Sequence, residues 1–95
     1  MKYPKEYLDE IKTRLKVSTV VSKTVNLKKR GKEFVGLSPF KTEKTPSFTV
    51  NDEKGFYHCF STAEHGNIFD FIMKTQNLKF GEAVKYLANL AGMQP

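Results

Sequence analysis

The stretch SPFKTEKTPSFTVNDEKGFYHCFST, residues 38–62, decides how this chain folds. β-Branched and aromatic residues fill 47–51 and 55–60, and the polar run Asn51-Asp52-Glu53-Lys54 separates them, so the stretch predicts two strands joined by a turn. Alternation along a strand sets Phe48 and Val50 against Ser47 and Thr49, and Phe56, His58 and Phe60 against Tyr57 and Cys59. One face of such a sheet packs on helices while the other meets water or a ligand, and the period alone does not say which.

On the N-terminal side, Pro4 suits a first helical position, and Leu8, Ile11 and Leu15 recur at helical spacing, predicting an amphipathic helix over 4–16. Ser18 is placed to cap a short helical turn carrying Val20 and Val21 inward. Two apolar runs, 25–27 and 34–37, flank Lys28-Lys29-Arg30-Gly31-Lys32 and predict a hairpin with a cationic tip. On the C-terminal side, Asn67 with Asp70 three residues on marks a helix start, and Ile68, Phe71, Ile72 and Thr75 form its stripe, widened by Phe69 and Met73. Gln76-Asn77 breaks that pattern; Phe80, Ala83, Val84, Leu87 and Ala91 then mark a second helix, with Gly92 as its end. The class is therefore α+β, a small antiparallel sheet flanked by N-terminal and C-terminal helices, in one domain spanning residues 1–95.

Ninety-five residues with eight Phe and four Tyr can build a modest core without staples. The formal net charge of +6 favours polyanionic partners through long-range attraction, though a basic surface is also compatible with simple solubility. A single cysteine excludes an internal disulfide framework and fits a reducing compartment. No signal-peptide pattern opens the chain and no apolar run approaches the ~20 residues of a membrane span, so the expectation is a cytoplasmic protein with no membrane partner. The carboxylates are scattered, with no cluster suited to a two-metal site. A Cys-His nucleophile fails because His58 and Cys59, adjacent on a strand, project to opposite faces.

Pro39-Phe40, the run Glu43-Lys44-Thr45-Pro46-Ser47-Phe48-Thr49-Val50, Lys54 and His58-Cys59-Phe60 together resemble the N-terminal zinc-ribbon domain of bacterial-type DNA primases. The resemblance extends over nearly the whole chain. In that family Cys-Pro-Phe-His and Cys-Phe-Gly-Cys supply the ligands of a structural zinc; the matching positions here are Ser38, Lys41, Cys59 and Thr62. A protonated lysine offers no lone pair and neutral hydroxyls are poor zinc ligands, so three of the four ligands are replaced and no zinc or other cofactor is expected.

The resemblance implies a DNA primase fragment that grips single-stranded DNA template and presents it to a separate polymerase domain. That domain, which uses divalent metal ions to join ribonucleotides into a primer, is absent from these residues, so the chain alone should be inactive. The replicative helicase would be met only indirectly, through the full-length enzyme. Lys28, Lys29, Arg30 and Lys32 are candidates for phosphate contact, with a charged turn blunting a sheet edge as the alternative reading. Lys44 and Lys54 are candidates for the DNA backbone, and Phe48 and His58 for base stacking, by likeness to the family's template-binding sheet face. A second reading is a metal-free protein-interaction module that docks on the primase polymerase domain or another replisome component.

Overall fold

Side-chain alternation is realised in a five-stranded antiparallel meander, and the helices cover one of its faces. The computed structural model describes residues 3–93. In chain order the elements are α1 (Lys5–Arg14), α2 (Val17–Val21), β1 (Lys28–Arg30), β2 (Glu33–Gly36), β3 (Phe48–Asn51), β4 (Phe56–Cys59), β5 (His65–Gly66), α3 (Ile68–Gln76) and α4 (Phe80–Leu90). The sheet order is β1-β2-β3-β4-β5, each strand antiparallel to the next. This is the expected α+β architecture, and the last helix has the expected bounds.

The β3–β4 hairpin places Phe48 opposite Cys59 and Val50 opposite Tyr57, all buried. Cross-strand partners share a face, so this side of the sheet is the core side. Phe48 stacks on Tyr57 at 5.3 Å between ring centroids, and Phe71 of α3 meets both, at 5.9 and 5.6 Å. Ile11, Val20, Val21, Ile72, Val84 and Leu87 complete the interior from the four helices. At the start of α3 the Asn67 side chain accepts from the backbone of Phe69 and Asp70 while Asp70 accepts from Asn67 N, a reciprocal cap. A Cβ on Gly66 would come within 2.4 Å of the Asp70 carboxylate, so this cap requires glycine there.

Several local expectations change. The first hairpin is shifted: Lys28, Lys29 and Arg30 are not its tip but strand β1, and the turn is Gly31-Lys32, with Gly31 at φ +64°. An edge strand is paired on one side only, so three consecutive cations can form it and stay solvated. Ser18 does not cap α2, whose N-cap is Lys16; its backbone N–H and hydroxyl instead donate to the Asp52 carboxylate of the β3–β4 turn. Strand β5 was not anticipated, being only two residues long. Among the described residues no helix is long and apolar enough to cross a membrane.

Candidate nucleic-acid interface

The face of the sheet turned away from the helices is built by the other half of each strand's alternation. Register places Lys28, Val35, Thr49, His58 and His65 side by side across all five strands. A second row holds Arg30, Glu33, Asn51 and Phe56, in which the Asn51 amide donates to Glu33 at 3.4 Å. His58 stands half-buried on β4, between Thr49 of β3 and His65 of β5. Its ring is 4.3 Å from that of Phe60 and 6.0 Å from that of His65, with the latter pair nearly parallel. Phe56 and Phe60 are 56% and 69% exposed, which is unusual for large apolar rings. Together with Lys54 in the adjoining turn, Phe56, His58 and His65 line a shallow depression of about 300 Å³.

Of the residues expected to contact nucleic acid, the fold brings Lys28, Arg30, Lys54 and His58 to this face. Lys32 sits at the tip of the first hairpin, and Lys29, paired with Phe34, leans toward the opposite side. Lys44 lies in the β2–β3 loop beside an open groove of about 610 Å³ lined by Val25, Val35, Leu37, Pro39 and Pro46. Phe48 is a correction: it is fully buried against Tyr57, Phe71 and Phe40, so it cannot stack on a base. Phe56 and Phe60 have the exposure that role needs. The burial tendency of cysteine was the available signal, since Cys59 facing inward sets Phe56, His58 and Phe60 outward.

At the open end of the β3–β4 hairpin Ser38, Cys59 and Thr62, three of the four positions compared above with the family's ligands, belong to a polar cluster, while Lys41 is exposed on the neighbouring loop. Cys59 is fully buried; its thiol donates to Ser38 Oγ at 3.2 Å, and Ser61 Oγ stands 3.3 Å away. Ser38 Oγ also accepts from Phe40 N at 3.0 Å. Glu43 accepts from Ser38 N at 2.8 Å, from Ser47 N at 3.2 Å and from the Ser47 hydroxyl at 2.8 Å. These donors, the Ser38 amide first, hold the Glu43 carboxyl below its usual range. Burial pushes the Cys59 thiol up, but hydroxyls of Ser38, Ser61 and Thr62 can each turn a hydrogen toward an ionised sulfur, and together they outweigh burial and bring it down to about 6.

With the folded value below the ordinary 9.0, an ionised Cys59 stabilises the fold. That contribution is complete above about pH 9 and disappears as pH falls through about 6. Urea titrations between these limits should show stability rising with pH in the native chain and a flatter profile in Cys59→Ser; parallel profiles would contradict the assignment. As a zinc site the cluster does not fit: Ser38, Lys41 and Thr62 supply no thiolate or imidazole, and among the described residues no three His, Cys, Asp or Glu side chains are grouped to hold a metal.

Residues 3–95 match the family model described as CHC2 zinc finger. The chain is 46% identical over 91 residues to a DNA primase of Pseudomonas putida, 43% to that of Escherichia coli K12 and 42% to that of Haemophilus influenzae, in each case over 96% of this chain. It spans only 14–16% of the length of these relatives. It is also similar to the crystal structure of the zinc-binding and RNA polymerase domains of Aquifex aeolicus primase, with a TM-score of 0.87 and 28% identity over 94% of this chain and 22% of that one.

Proposed function

Because the chain belongs to the CHC2 zinc finger family, we propose that it is the template-binding domain of a longer DNA primase and holds single-stranded DNA against the helix-free face of its sheet. The observation that carries this reading is the surface of exposed Phe56, Phe60 and His65 around the half-buried His58, with Lys54 beside it and Lys28 and Arg30 on the same face at the far edge strand. Every base has a π-face, so exposed rings bind unpaired strands with little sequence preference, and cations beside them follow the phosphates. RNA primer synthesis then belongs to a polymerase domain elsewhere in the protein, with its own divalent metal ions. The replicative helicase is reached through the whole enzyme, in the cytoplasm.

Fluorescence anisotropy with a labelled oligonucleotide tests this. If these three cations meet phosphates, affinity should fall roughly 20-fold between about 50 and 200 mM salt. Absence of binding at the lower salt would sink the proposal. It would leave the second reading, docking on a polymerase domain or another replisome protein, which the groove beside β1 and β2 favours because Leu37 there is 47% exposed.

A further inference from the structure

A ribbon is a pair of chain reversals that must be tied to each other. In a zinc ribbon one ion does this, because four donors from both reversals converge on it. Here the two reversals are residues 38–47, between β2 and β3, and residues 59–64, from the last residue of β4 to the start of β5. They are joined by contacts that run from one to the other: Cys59 Sγ with Ser38 Oγ at 3.2 Å, and the hydroxyls of Ser47 and Ser61 with each other at 2.9 Å. Within the first reversal Glu43 gathers both ends, taking the backbone N–H groups of Ser38 and Ser47 on the same oxygen, Oε2.

We propose that this chain closes its ribbon end without any metal ion, and that the Glu43 carboxylate, tied through Ser38 and Ser47 to Cys59 and Ser61, performs the crosslinking. The donor chemistry supports both halves. An oxygen with a formal charge attracts N–H and O–H donors strongly, as the distances of 2.8 Å from Ser38 N and the Ser47 hydroxyl illustrate. Those hydroxyls are in turn poor ligands for zinc, and Lys41 would bring a cation toward one.

The test uses protein made in zinc-supplemented cells and dialysed. Elemental analysis should find under about 0.1 zinc per chain, and a strong chelator should leave the melting temperature unchanged. Glu43→Gln, which presents an amide to the same donors, should melt several degrees lower, by the same amount with or without zinc. Near-stoichiometric zinc after dialysis, or a melt lowered by the chelator, would overturn metal-free closure. An unchanged melt in Glu43→Gln would overturn the role of the carboxylate. Should that variant fail to fold, Ser47→Ala carries the same comparison, since it removes the hydroxyl that bonds both Glu43 and Ser61.

Discussion

A chain carrying Ser38→Cys, Lys41→His and Thr62→Cys together is expected to bind zinc and to melt far above the native chain once the ion is present. Three of the four positions already converge: the Cys59 thiol touches Ser38 Oγ, and Thr62 hydrogen-bonds to the same sulfur. Two new thiolates there, with an imidazole on the neighbouring turn, would complete the Cys3His set that structural zinc accepts. At free zinc a thousandfold above the dissociation constant, linkage supplies about 4 kcal/mol. In a domain of this size that corresponds to a shift of roughly 15–30 °C, reversed by chelator. A melt indifferent to zinc would mean that the turn carrying Lys41 does not reach the cluster.

The second large effect separates two phenylalanines twelve residues apart in the same hairpin. Phe48→Ala removes a fully buried ring at the meeting point of Tyr57, Phe71 and Phe40, and should cost about 3–5 kcal/mol of stability. Phe60→Ala removes a ring that is mostly in water beside His58, and should move stability by no more than about 0.5 kcal/mol. For oligonucleotide binding the order reverses. Loss of one base-stacking contact, about 1–3 kcal/mol, should weaken the Phe60→Ala complex roughly 5- to 150-fold, whereas Phe48→Ala should bind normally in whatever fraction stays folded. Denaturant titration and anisotropy on the two variants check both halves. Undiminished affinity in Phe60→Ala would argue that the strand lies elsewhere.

Elements specified by local chemistry were legible from the residues alone. Asn67 and Asp70 announce α3 because the cap is made by side chains three residues apart, and α4 follows from apolar spacing on one helix face. Elements that depend on a partner strand were not. Nothing in Lys28-Lys29-Arg30 favours a strand until β2 offers it a hydrogen-bonding edge, and β5 exists only because β4 passes beside it. The site divides the same way. Alternation grouped Phe56, His58 and Phe60 correctly, but deciding between that face and the one carrying Phe48 requires knowing where the helices dock. Glu43 escaped notice for a related reason: its role arises when the loop brings the amides of Ser38 and Ser47 to one oxygen, a closeness invisible in their separation along the chain.

Glu43 sits midway along the loop whose two ends it grips, and that position makes it a latch. Swinging that one side chain outward removes the amide hydrogen bonds of Ser38 and Ser47 together and leaves each end held only from the other reversal, Ser38 by Cys59 and Ser47 by Ser61. The two ends of the loop are therefore expected to loosen together, and not one before the other.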